Sequence, residues 1–210
     1  LSHTAFAMYR EQLWLFNRQT WYQIIIPNIT DYSQWEFVNA IDGQGTFSPK
    51  TIATTPFGIC FANENGIWLT DGGKPECLTY DPDKGLAIKS LYQHLATNQS
   101  YIYTSLIALG NPPIDSSLGY NTCMELVYNE EDDELCLITP VESDHDNSPL
   151  VYDKELRLIY SFANHSWRVE TFVLGDIITY SNIHRVHFSY NRFFHTRLDD
   201  SAKIINFGYR

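Results

Sequence analysis

The sequence lacks the markers by which most proteins announce a location or a chemistry. No apolar run approaches the ~18 residues that cross a bilayer as a helix, and no charged-then-apolar segment opens the chain. The expectation is a soluble chain with no membrane among its partners. Basic residues are few, 14 Lys and Arg against 25 Asp and Glu, and the formal net charge is −11. A chain this acidic repels phosphate backbones, which excludes tight DNA binding through counterion release. Four cysteines, Cys60, Cys77, Cys123 and Cys136, form no C-x-x-C pair. Reduced, buried thiols are the plain reading.

Catalytic signatures are missing as well. No Gly-x-Ser-x-Gly elbow, no phosphate-binding P-loop and no His-Glu-x-x-His occurs, so nucleophilic, phosphoryl-transfer and zinc-peptidase chemistry have no motif to stand on. Asp81-Pro82-Asp83-Lys84-Gly85 and Asp144-His145-Asp146 each place two carboxylates at i and i+2. Neither adds the third carboxylate and distal Glu of a calcium loop, and solvated turns account for both. His184 and His187 stand three apart, which on a strand points them to opposite faces and away from a common metal. Ala40 to Phe47 approaches the Asp-box turn of sialidase-type propellers, but Gln44 stands where that turn needs Gly. The expectation is a non-enzyme with no catalytic, cofactor-binding or metal-binding residues and no cofactor.

What the chain has in quantity is aromatic and β-branched strand material, with 15% aromatic and 19% charged residues. Phe57 to Gly73 reads as two apolar strands around Asn65-Gly66, which supplies the two positive-φ positions of a tight hairpin turn and fixes Gly66 by backbone geometry. Phe57, Ile59 and Phe61 alternate with Cys60 and Ala62, so both faces are apolar and cover is expected above and below. The same alternation of apolar strand, polar turn and apolar strand recurs at Met8–Phe16, Leu126–Ile138, Leu158–Val169 and Val186–Phe194. Trp21–Ile26, Trp35–Val38 and Lys74–Thr79 read as further strands. Ile88, Leu91, Tyr92 and Leu95 form one apolar stripe, predicting a short helix that stops near Asn98. Tyr101–Leu109 reads as a strand ended by Gly110-Asn111-Pro112-Pro113. Ile114–Asn121 and Pro140–Pro149 read as loops.

These patterns predict an all-β fold of propeller-like blades built from antiparallel hairpins, with one short helix. A single region spans 1–210, because β architectures reach ~200 to 250 residues as one domain. About a dozen to fourteen candidate strands give roughly three blades, fewer than the ~4 to 8 of a closed propeller. With a start at Leu1 in place of Met, this predicts an incomplete propeller, a processed piece of a longer chain. Acidic residues crowd between Glu125 and Glu155 against Lys154 alone, while Arg185, Arg192, Arg197, Lys203 and Arg210 spread through the last strands. The sharper reading of that asymmetry is an acidic rim or passage and a basic edge that meets a partner.

Gly45–Gly58 followed by Phe61–Gly73 resembles blades of the virion β-propellers of tailed bacteriophages, and Tyr160–Trp167 is similar to their blade hairpins. Such propellers form tail nozzles, the muzzle of crAss-like phages and packaged-DNA stabilisation proteins. The resemblance implies a structural subunit of a tail ring around the DNA exit channel, located in the virion tail and helping retain and conduct the genome, with no catalytic residues. Implied partners are other tail proteins, copies of itself in a ring, the remainder of its precursor and passing DNA held without sequence preference. The alternative is a non-catalytic propeller that binds protein or glycan.

Overall fold

The computed structural model describes residues 5–42, 44–81, 86–108, 124–141, 154–173, 185–189, 192–196 and 204–207. They fall in two compact units, Leu1–Thr97 and Asn98–Arg210. The first holds β1 (Ala5–Tyr9), β2 (Gln12–Phe16), β3 (Thr20–Ile25) and β4 (Glu36–Asp42), then β5 (Ile52–Thr55), β6 (Gly58–Asn63), β7 (Gly66–Thr70) and β8 (Glu76–Cys77). Each group of four is one antiparallel sheet with its strands in chain order. A two-residue pair, β9 (Tyr80–Asp81) and β10 (Leu86–Ala87), precedes the helix α1 (Lys89–Ala108). In the second unit β11 (Glu125–Asn129), β12 (Glu134–Val141), β13 (Lys154–Ser161) and β14 (Ser166–Val173) form a third four-stranded meander. A three-stranded sheet follows, β15 (Arg185–Ser189), β16 (Arg192–Thr196) and β17 (Ile204–Phe207). The described residues therefore carry seventeen strands, more than the dozen to fourteen expected, and the chain is mostly β with one α-helix.

In the first unit the two sheets stack through large side chains. Ala5, Ala7 and Tyr9 of β1, Trp14 and Phe16 of β2, and Trp21 of β3 meet Ile59 and Phe61 of β6, with Ile52 and Trp68 packed against the cluster. Small Ala residues on the first strand let the next sheet approach, and the indoles behind them fill the wedge. Phe16 and Phe61 tilt together at 5.3 Å between ring centres, and Trp14 and Trp21 at 4.8 Å. β6 is buried along its whole length, as its two apolar faces require. Its far end is reached from α1, where Tyr92 donates its hydroxyl to Asn63 O. Ile88, Tyr92 and Leu95 are all buried, so the stripe predicted from their spacing is the face that packs.

The helix itself is longer than predicted, and Tyr101–Ala108 is helical where the sequence reads as a strand. No Gly or Pro interrupts Lys89 to Leu109. Once the stripe has nucleated the first turns, each further residue adds a hydrogen bond, and the weak β preference of Tyr, Ile and Thr is overridden. Leu109 and the Gly110-Asn111-Pro112-Pro113 stretch expected to end that strand lie outside the described residues.

Hairpin chemistry also departs from expectation at the central turn. Asn63 pairs with Gly66, so Glu64 and Asn65 make the turn, and neither Asn65 nor Gly66 has positive φ. The Asn63 carboxamide removes the need for it. Its Oδ1 accepts from Asn65 N (2.9 Å), Gly66 N (3.2 Å) and the Trp68 indole (3.1 Å), holding the turn by a side chain in place of left-handed backbone. Positive φ is found instead at Arg10 and Glu11, which join β1 to β2 without any Gly. Gly66 is fixed by space: a Cβ there would stand 2.5 Å from Thr79 Oγ1 and 3.1 Å from Cys77 Sγ. Gly66→Val should thus lower stability by roughly 1 to 3 kcal/mol through crowding, read as a fall in denaturation midpoint. An unchanged midpoint would show that Thr79 and Cys77 swing aside freely.

The third sheet repeats one hairpin design. Asn129 pairs with Glu134 and Ser161 with Ser166, each across a four-residue loop whose last residue, Asp133 or His165, has positive φ. In each, the Tyr ahead of the loop bonds that residue, Tyr128 to Asp133 and Tyr160 to His165. The loops meet through Phe162, whose N–H donates to Asp133 O and whose ring lies edge-on to both tyrosines.

Candidate functional site

Between sheet one and sheet two the described connector, residues 44–51, runs past two hairpin turns. On one side Gln44 N donates to Gln19 O (2.8 Å) and Thr46 N to Asn17 O (2.9 Å), pinning the connector to the β2–β3 turn. On the other, Phe47 N donates to Ala62 O (3.1 Å) and Asn63 Nδ2 to Gly45 O (3.1 Å), pinning it to the end of β6. Gly45 passes so close to Asn17, Arg18 and Gln19 that a side chain has no room. The segment that approaches the Asp-box pattern thus begins as the end of β4 and continues into this connector.

Both turns are held by an Asn side chain in the same way. Asn17 Oδ1 accepts from Gln19 N (2.7 Å) and Thr20 N (2.6 Å), the counterpart of Asn63 in the second turn. Between them lies a cleft of about 400 Å³. Thr46 and Asn63 line it, both buried and hydrogen-bonded: Thr46 Oγ1 reaches Thr51 Oγ1 (2.9 Å) and Ala62 O (3.1 Å). Arg18 and Gln19 come from one turn, Glu64 and Asn65 from the other, and Phe47 from the connector. These four polar side chains are exposed.

The Arg168 guanidinium grips both carboxylate oxygens of Glu134 and turns its Nε to Glu170 (2.9 Å). Hydrogen bonding to Glu134, then to Glu170, pushes its pKa above the ordinary arginine range. Part of the acidic run is thereby used internally, since Asp133 holds Tyr128 and Asp132 holds Asn129. Burial pushes the Cys60 thiol far up, so it stays protonated, and Tyr92 is pushed up likewise by burial. Neither is a nucleophile. Among the described residues no three His, Cys, Asp or Glu side chains gather as a metal site would require.

The sequence offered no site residues, and most of the candidates it weighed lie outside the described residues. Asp81 ends the short β9, whereas Asp83, Asp144, His145, Asp146 and His184 lie outside the described residues, as do Cys123, the Ile114–Asn121 loop and most of the Pro140–Pro149 loop. His187 falls on β15. The cleft was missed because its residues come from three separate stretches. The Asn-x-x pattern at Asn17 and Asn63 is the one local signal that could have marked both walls. No known protein family matches the chain, and no curated protein is detectably similar to it.

Proposed function

We propose that this chain is a structural, non-catalytic subunit of a tailed-phage tail, part of a nozzle- or muzzle-type ring of propeller-like blades around the DNA exit channel. The observation that carries this reading is the way the first two sheets meet. Each is a four-stranded meander, they stack face to face, and their first strands run side by side, with Tyr9 OH donating to Pro56 O (3.3 Å) and Thr54 Oγ1 to Met8 O (3.4 Å). Radially repeated blades make this contact between inner strands. The third sheet repeats the meander in the second unit.

The outer face of the first sheet supports assembly. Phe6, Met8 and Phe37 are 73%, 53% and 64% exposed on the face turned away from the second sheet, and a bare apolar sheet face fits an additional blade or a neighbouring subunit. The net charge of −11 suits a wall past which DNA slides without being gripped. The test is to purify the phage particles whose genome encodes the chain, identify their proteins by mass spectrometry and image the tails by cryo-electron microscopy. The chain should be present in ring-like copy number, with its four-stranded sheets visible around the channel. Its absence from washed particles overturns the reading.

A further inference from the structure

The cleft between the Asn17 and Asn63 turns has buried residues already engaged in hydrogen bonds and exposed side chains that are not. Asn63 spends Oδ1 on three N–H groups and Nδ2 on Gly45 O, and Thr46 Oγ1 is taken by Thr51 and Ala62. By contrast, no described residue hydrogen-bonds or ion-pairs the side chains of Arg18, Gln19, Glu64 or Asn65, although all four line one cavity. Their backbone is held by the two carboxamide-capped turns and by the connector, so a ligand would meet groups whose anchoring is already in place. The volume, about 400 Å³, lies in the ~300 to 1,000 Å³ range of small-molecule sites.

The wall chemistry selects the ligand. Arg18 and Glu64 line the same cavity, so an anion drawn to the guanidinium is opposed by the carboxylate, and a cation the reverse. A neutral molecule rich in hydroxyls uses both: each hydroxyl donates to the Glu64 carboxylate or accepts from the Arg18 fork, and the Gln19 and Asn65 amides do either. Phe47, half-buried at the same cavity, offers an apolar ring surface to the C–H face of a sugar. We propose that this cleft binds a neutral saccharide of one or two sugar rings. The site stands on its own geometry, whether or not the chain sits in a tail ring.

The test immobilises the full chain and measures binding of galactose, N-acetylglucosamine, lactose and chitobiose by interferometry, with N-acetylneuraminic acid and a Gly-Ser-Asn peptide as charged and peptide comparators. At least one neutral sugar should bind saturably, with affinity on the order of millimolar as suits a small exposed cleft. Arg18→Ala and Glu64→Ala should each weaken that binding about tenfold, the effect of losing a hydrogen bond to a charged group. Because both side chains are exposed, the melting temperature of each variant should match that of the parent, separating a binding role from a structural one. No neutral sugar bound up to about 50 mM, well beyond the millimolar range expected, overturns the proposal. So does preference for the acidic sugar or the peptide, and so does binding that survives the Arg18→Ala/Glu64→Ala double variant.

Discussion

Gly45→Ala should be the most damaging single-methyl change in the first unit, lowering its stability by roughly 3 to 5 kcal/mol. An added Cβ would lie well under 3.0 Å from Asn17 O, Arg18 C and Gln19 N, all of them backbone atoms. Backbone held in a capped turn cannot swing aside as a side chain can. The methyl therefore forces the connector off the β2–β3 turn and breaks the Gln44-to-Gln19 and Thr46-to-Asn17 hydrogen bonds together. It also draws Gly45 O from the Asn63 carboxamide, which caps the second turn. Gly66 is the useful contrast, because its close neighbours are a hydroxyl and a thiol at the ends of side chains. Since whole domains are stable by only ~5 to 15 kcal/mol, Gly45→Ala should move the denaturation midpoint followed by tryptophan fluorescence much further than Gly66→Val does. Trp14 and Trp21, fully buried between the two sheets, report that unit. A Gly45→Ala midpoint equal to the parent's would mean that connector and turn do not touch.

The contrast between those two glycines shows which features local sequence carries. Strand positions were legible wherever alternation was strong: β6 and β7, β11 to β14, and the β1–β2 hairpin all lie where apolar spacing puts them. Register near a turn was not. Asn65-Gly66 has the composition of a left-handed turn, yet the Asn63 side chain captures the backbone one residue earlier, and only pairing across the strands decides between the two. Arg10-Glu11 errs in the opposite direction, adopting positive φ with no residue that favours it, because the β1–β2 pairing fixes the turn length. Tyr101–Ala108 was misread because propensity is weaker than helix propagation. Arg168 neutralising Glu134, 34 residues away, and the cleft itself depend on contacts between distant segments, which no local pattern encodes.

Expressed by itself, the chain should associate with copies of itself in a concentration-dependent way, and Phe6→Ser/Met8→Ser/Phe37→Ser should make it a monodisperse monomer. Register places these residues on one surface, with Met8 opposite Leu13, Leu13 opposite Ile24 and Ile24 opposite Phe37, while Phe6 pairs with Leu15 and Leu15 with Tyr22. Leu13, Leu15 and Tyr22 are half-buried and Ile24 is buried, so the patch reaches the fourth strand through Tyr22, whose ring meets Phe37 edge-on at 6.3 Å. At ~1.5 to 3 kcal/mol for a fully buried large side chain, the exposed parts of Phe6, Met8 and Phe37 leave roughly 3 to 6 kcal/mol of apolar transfer unrealised. β1 is also the edge strand of its sheet beside that patch, with Met8 O held by Thr54 Oγ1 of β5, and apolar residues next to a sheet edge favour association. Serine at three exposed positions removes the attraction and takes little from the folded unit, whose core faces the other way. Light scattering across a concentration series, with thermal melts of both proteins, separates the cases. A parent chain that stays monomeric and unfolds cooperatively at every concentration would mean that no further blade or subunit is needed on this face, and would remove the structural basis for placing the chain in a ring.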